Sequence, residues 1–368
     1  MKFSFRLKAF HASRAAPWKA LFALGASLLA CSAHANIDLS KLQLPSFLGG
    51  GQARQALDPG MLAGLALSKV LDNELPVRLD AKQVYPSVPA PPGGPFAITA
   101  RLAISPESLS QPLAAGDYEI PVYAYAMDSS LPRPGGGVAY QLGALQGRAA
   151  EAISTLFWRA QLANVNPTLI AITAVSIQSG VTYAHLPLGC QKTVDQLIPD
   201  MRDQLKGDYI ETLQLTYAKL GRFYPLPALP DLLMQMGPNG KTALIAISQQ
   251  QTLQRQQLDD DKRAQILVAG QESGVYAPVQ AEVGPWTERM PGIAYMRLKI
   301  VAGPMGVNTL QVRVLASPAG SPATAPTLMS LFGAKATPQG AARVTGLVGY
   351  SMFQPAQPLS IYPLIAQR

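Results

Sequence analysis

Cysteine and histidine are almost missing from this chain. Its 368 residues hold two cysteines, Cys31 and Cys190, and three histidines, His11, His34 and His185. Only Cys190 and His185 lie beyond the first 35 residues, a segment read below as a removable leader. A disulfide within the remaining chain is then excluded, and so is a zinc centre built on two or three histidines. Charge is also sparse: 14% of residues are charged against 48% hydrophobic. A chain of this length can bury a sizeable core, and without cross-links it must stand on one. No apolar run reaches the roughly 20 residues that cross a bilayer. The sequence holds no Gly-x-Ser-x-Gly elbow and no repeat at a fixed period.

What is present begins with the leader. Lys2, Arg6, Lys8, Arg14 and Lys19 precede the apolar run Ala20–Ala30, and no acidic residue stands among them. Ala33-His34-Ala35 then supplies small residues where a signal peptidase reads, with Asn36 after the cut. This is the layout of a bacterial export signal. Leu28-Leu29-Ala30-Cys31 offers a second reading, a lipobox in which Cys31 carries a lipid anchor. The net charge of +8 falls with the leader, because five of the 30 Lys+Arg leave and 25 remain against 22 Asp+Glu. The remaining basic residues are scattered singly, which argues against a nucleic-acid partner.

Asp58-Pro59 reads as an N-cap followed by proline at the first helical position, ahead of Met61, Leu62, Leu65, Val70 and Leu71 at helical spacing. Pro86, Pro89, Pro91 and Pro92 with Gly93-Gly94 mark a loop. Tyr118–Ala126 alternates as a strand. The middle is helical. Ala149 to Ala160 carries one apolar stripe, and Thr168–Ile177, apolar nearly all round, reads as a buried helix ending at Gly180. Val194, Leu197, Ile198, Met201 and Leu205 form a further stripe, with Pro199 kinking it or starting its second part; Ile210, Leu213, Tyr217 and Leu220 continue it. Lys241–Ile247 reads as helical turn or strand, and Gln249–Leu258 as exposed helix or long loop. Tyr295–Val301 and Thr309–Leu315 alternate and predict a hairpin with one buried side and one wet side, Arg297, Lys299, Gln311 and Arg313 being on the wet side. Val344–Met352 and Leu359–Leu364 predict final strands.

Candidate chemistry is thin. His185 lies five residues before Cys190, which the sequence places just ahead of a helix starting near Lys192. A helix N-terminus and a nearby lysine favour thiolate, so Cys190 and His185 are the catalytic candidates. The plainer reading is a buried small hydrophobe and a hydrogen-bonded loop histidine. Gly237-Pro-Asn-Gly240-Lys241-Thr242 has the tail of a phosphate-binding loop, but Gln235 stands where its first glycine belongs. Asp259-Asp260-Asp261 lacks the glycine and distal glutamate of a calcium hand and reads as a solvated charge run. Asp200 with Asp203, and Asp208 with Glu211, pair along helices beside Arg202 and Lys206, which suits exposed salt bridges better than acid–base work. An internal thioester of the kind surface adhesion domains carry needs a cysteine beside Tyr123 or Tyr125, where Ala124 and Ala126 stand. Tyr118, Tyr123, Tyr125, Tyr140 and Trp286 form an aromatic set that suits either sugar stacking and partner anchoring or core edges.

The sequence therefore predicts an α+β protein with a helical middle region flanked by a strand-rich N-terminal segment and a C-terminal β region. The divisions are a signal peptide over 1–35, a linker and short helix over 36–72, strands over 73–140, helices over 141–270 and β structure over 271–368. The expected role is non-enzymatic binding or assembly in the periplasm, outer membrane or outside the cell, with no cofactor and an envelope protein or polysaccharide as partner. Two alternatives are an envelope-polymer hydrolase using Cys190 and His185, and a secreted interaction protein or effector. No transmembrane helix is expected after processing, and Cys31 is the candidate lipid anchor.

Overall fold

Alternation along one strand organises the molecule. In the computed structural model, which describes residues 59–78, 84–127, 139–163, 165–256, 282–300, 307–316, 325–336, 342–351 and 359–363, β3 (Gly116–Ala126) is the longest strand. Its even positions Tyr118, Ile120, Val122 and Ala124 are buried in an apolar cluster. The odd positions Asp117 and Glu119 emerge on the other face, as the period of two requires. The expected leader, Cys31, His11, His34 and Asp259–Asp261 lie outside the described residues. All described residues belong to one unit, 46–368.

The fold is α+β. Before β3 come α1 (Pro59–Glu74), β1 (Ser87–Val88) and β2 (Ile98–Arg101), and after it β4 (Tyr140–Gly143). The helical middle is α2 (Ala150–Ala163), α3 (Pro167–Gln178), α4 (Leu188–Leu197), α5 (Tyr209–Gly221), α6 (Leu229–Gln235) and α7 (Gly237–Gln256). Then follow β5 (Glu282–Val283), β6 (Trp286–Met290), β7 (Ala294–Ile300) and β8 (Val307–Val314). Last are α8 (Leu328–Leu331), β9 (Ala334–Ala336), β10 (Ala342–Val344), β11 (Leu347–Ser351) and β12 (Leu359–Pro363).

Strands from both β segments share one sheet, in the order β1-β6-β7-β8-β3-β12-β11-β4, with β2 added on β3 and β5 on β7, while β9 and β10 form a separate two-stranded sheet. The path then returns on itself. Val84 bridges Gly143 on β4 and the Tyr85 amide donates to Leu142 O at 2.8 Å. Three residues on, Ser87 and Val88 pair with Thr287 and Trp286 on β6. The segment 84–88 therefore has β4 on one side and β6 on the other, and closes the eight strands into a barrel. A barrel of eight strands is just wide enough for its interior to fill with side chains. Here Tyr140, Leu142, Met296, Leu298, Leu310, Val312 and Ile361 join the β3 residues in that cluster.

The helices build a second apolar cluster from α2, α3, α4 and the 3-10 segment Pro199–Leu205. Val194, Leu197, Ile198, Met201 and Leu205 are all buried in it. Pro199 starts the second part of this stripe, at the head of the 3-10 turn. α2 serves both clusters: Trp158 packs in the barrel cluster, while Phe157 meets Tyr125 of β3 with ring centroids 4.2 Å apart. Lys241–Ile247 lies within α7, which continues as helix through Gln249 to Gln256.

The hairpin of β7 and β8 forms as the alternation predicts, with Arg297 opposite Gln311. Its polar face is not wet throughout. Arg313 and Gln311 are 4% and 6% exposed, because the proline-rich stretch from Pro86 to Phe96 lies across them.

Candidate functional site

Two rows of polar side chains cross the outer face of the barrel. In the first, Tyr295, Arg313 and Asp117 stand opposite one another on β7, β8 and β3. Arg313 Nε and Nη2 donate to Asp117 Oδ1 and Oδ2, both at 2.7 Å. Its remaining N–H groups go to the strap: Nη1 to Gly94 O at 2.7 Å, with Pro92 O and Pro91 O further off, and Nη2 to Pro95 O at 3.0 Å. All five guanidinium donors thus have acceptors, the condition for burying an arginine at all. The strap suits this task. Its prolines carry no N–H to compete for the carbonyls, and Gly93 and Gly94 adopt φ of 105° and 78°, a turn favouring glycine.

Burial works to raise the Asp117 carboxyl. The hydrogen bonds from Arg313 and the Ala97 amide, with the charges of Arg313 and Arg297, outweigh it and hold the group below the usual carboxylate range. The same contact with Asp117 pushes Arg313 up.

The second row runs Arg297, Gln311, Glu119, Arg101 across β7, β8, β3 and β2. Arg297 Nε donates to Gln311 Oε1 at 2.8 Å, Gln311 Nε2 donates to Glu119 Oε1 at 3.1 Å, and Arg101 Nε donates to Glu119 Oε2 at 3.2 Å. Glu119 is thus neutralised by Arg101. Arg297 has no ion pair, and its terminal amino groups have no hydrogen-bond acceptor, among the described residues. Burial and the neighbouring Arg313 both push its guanidinium below the usual arginine range, with Asp117 opposing. Trp286 covers it: the Arg297 carbon Cζ lies 4.4 Å from the Trp286 ring centroid, a cation–π contact. Phe96 tilts against Trp286 at 5.7 Å.

Beside this pair the surface opens into a cavity of about 450 Å³ lined by Ser87, Val88, Pro89, Val283, Gly284, Pro285, Trp286 and Arg297. Its volume matches that of small-molecule sites, though it is an open recess whose accessible lining is as polar as it is apolar. Its one charged lining residue is Arg297. Gly284 approaches the Tyr140 backbone so closely that any side chain there would strike it, so the cavity wall is fixed against β4. Trp286 was legible as an aromatic of interest. Arg297 was legible only as a wet-face residue, since its lack of a carboxylate is a property of three other strands.

The other sequence candidates lie elsewhere. Cys190 is the third residue of α4, within the helix and not ahead of it, and is fully buried in the helical cluster. A nucleophilic thiol needs access to substrate, and this one faces packed side chains. His185 ends the short 3-10 turn Tyr183–His185 on the surface, with Nδ1 2.9 Å from Thr182 Oγ1. Gly237–Thr242 is the first turn and a half of α7, not a loop. Asp200 is gripped by Arg159 at 2.7 and 3.2 Å and reached by Arg343; the hydrogen bond from Arg159 is the chief reason its carboxyl is lowered. Asp203 pairs with Lys206 and Arg202 with Asp195, so these acids work in ion pairs. Asp208 caps α5, its Oδ1 accepting from the Glu211 amide at 3.0 Å. Tyr118, Tyr125 and Tyr140 are buried in the two cores, which resolves those three aromatics as core.

Comparison with known families, characterised proteins and solved structures finds no match to this chain. No helix among the described residues is long and apolar enough to cross a membrane, and no group of three or more metal-ligating side chains occurs among them.

Proposed function

We propose that this chain is an exported binding protein of the bacterial envelope, non-enzymatic in role, whose ligand site is the cavity beside Trp286 and Arg297. The observation that carries the reading is the cavity itself: a recess of about 450 Å³ with an aromatic wall and a single charged group, set on a closed barrel whose interior is full. A rigid scaffold with a few convergent polar groups is the usual form of a binding site. The leader sequence supports an address beyond the cytoplasm. The ligand then comes from the envelope, offered by a protein or a polysaccharide.

A thermal-shift screen against envelope-derived peptides, saccharides and small acids tests this. Val88 lines the cavity, and Val88→Trp would fill it. The expected result is at least one compound that raises Tm of the native protein by several degrees and leaves Val88→Trp unmoved. Compounds that shift both proteins equally, or none that shift the native one, would remove the cavity as the ligand site.

A further inference from the structure

We propose that the cavity recognises a carboxylate, as at the C-terminus of a peptide, with Arg297 as the residue that binds it. This rests on the reading of the cavity as the ligand site.

Charge sets the first half of the argument. The two rows hold three guanidinium groups, Arg101, Arg297 and Arg313, and two carboxylates, Asp117 and Glu119. Asp117 is fully engaged by Arg313, and Glu119 by Arg101 and Gln311. Within these two rows one positive charge is left over, on Arg297 at the cavity wall, and Lys299, in register with the lining residue Val283, adds a second cation on the same face. A surplus of positive charge at the wall favours an anionic ligand.

Geometry sets the second half. The Arg297 Nε is tied to Gln311 and the guanidinium is stacked under Trp286, so the planar fork is held in one orientation. Its two terminal amino groups are the edge that remains for a ligand, and a carboxylate fits such an edge with paired, charge-assisted hydrogen bonds. The Gln311 amide is fixed in turn by donating to Glu119, so little side-chain freedom is lost when the ligand arrives. The rest of the lining is Val88, Pro89, Val283, Pro285 and Trp286, with one hydroxyl at Ser87. The open surface of that lining is nonetheless no less polar than apolar, so the carboxylate, and not the body that carries it, is what the site selects.

Isothermal titration calorimetry on the purified full chain tests the proposal with four probes: N-acetylphenylalanine, its primary amide, glucuronate and glucuronamide. The expected result places each acid, N-acetylphenylalanine and glucuronate, about tenfold or more ahead of its own amide, the scale of a charge-assisted hydrogen bond. Arg297→Gln should erase the preference for acid over amide while leaving amide binding unchanged. Arg297→Lys keeps the charge without the fork and should retain only part of the preference; it also serves should Arg297→Gln fail to fold by circular dichroism. Equal binding of acid and amide, or a preference that survives Arg297→Gln, overturns the proposal yet leaves the cavity as a site if Val88→Trp still blocks binding. Silence from all four probes also overturns it, while the thermal-shift screen decides the cavity separately.

Discussion

Arg313 shows how far one residue's role can sit from its sequence context. Alternation along β8 puts it correctly on the polar face with Gln311. What buries it is four carbonyls from a segment 218 to 222 residues away, and no local pattern reports that. The strap was readable as a proline-glycine loop and nothing more. Its pairing with Asp117 has a measurable consequence. Breaking a buried ion pair by removing one partner costs about 3–5 kcal/mol, so Asp117→Asn should lower stability at neutral pH by that order in urea denaturation. The pH dependence follows from the lowered Asp117 carboxyl. An unfolded Asp titrates near about 3.9, so the stability from this group is present above that value and is lost as pH falls through the folded value. The native protein should therefore lose denaturation midpoint below about pH 4, and Asp117→Asn should lose less over the same window. Equal acid sensitivity in the two proteins would assign the loss to other carboxylates, such as Asp200.

At the level of elements, the helices were the most legible part of the chain. α3 runs Pro167–Gln178 where sequence placed 168–177, because an all-apolar run bounded by proline and glycine leaves few alternatives. Two buried hydroxyls bond back along the chain, Thr173 within the helix to Leu169 O and Ser179 just past its end to Val175 O, so these two cost little when buried. The stop at Gly180 is specific. The Gly180 amide donates to Ile177 O and the Val181 amide to Ser176 O, the two bonds of a Schellman cap. Gly180 has φ of 77°, and a Cβ there would run into the Tyr209 ring at the start of α5. Gly180→Ala should destabilise by at least the about 1–2 kcal/mol of a left-handed residue, read as a drop in urea midpoint without loss of the folded circular dichroism signal. The boundary between α4 and the next turn was half-legible. Pro199 does interrupt the stripe, at the head of a 3-10 turn, whereas Cys190 falls inside a helix that starts at Leu188, because Pro187 and Gly189 mask its N-terminus in the sequence. That shift of the helix start by four residues, from Lys192 to Leu188, is what moves the thiol from ahead of the helix into the core.

For the whole molecule, the sequence yields the α+β class and the strands near both ends, but not their union. β3 lies between β8 and β12, which come from the far end of the chain, and closure depends on five residues, 84–88, contacting β4 and β6 at once. Long-range pairing of this kind leaves no periodic trace, and the candidate site inherits the same obscurity because its lining comes from residues 87–89, 283–286 and 297. Export makes its own prediction at this scale. Intact mass of the protein recovered from fractionated cells should start at Asn36 and be found outside the cytoplasm; a mass starting at a diacylated Cys31 would establish the lipoprotein alternative, and an uncut cytosolic protein would remove the envelope from the proposal. The seam of the barrel carries one further consequence. Pro86, Pro89, Pro91, Pro92 and Pro95 make up half of the ten residues from Pro86 to Pro95, and none has an amide hydrogen to trade with deuterium. Few amides on that peptide can therefore report breathing of the seam, which should be read instead at Tyr85, whose amide donates to Leu142 O, and at Glu288, whose amide donates to Pro86 O.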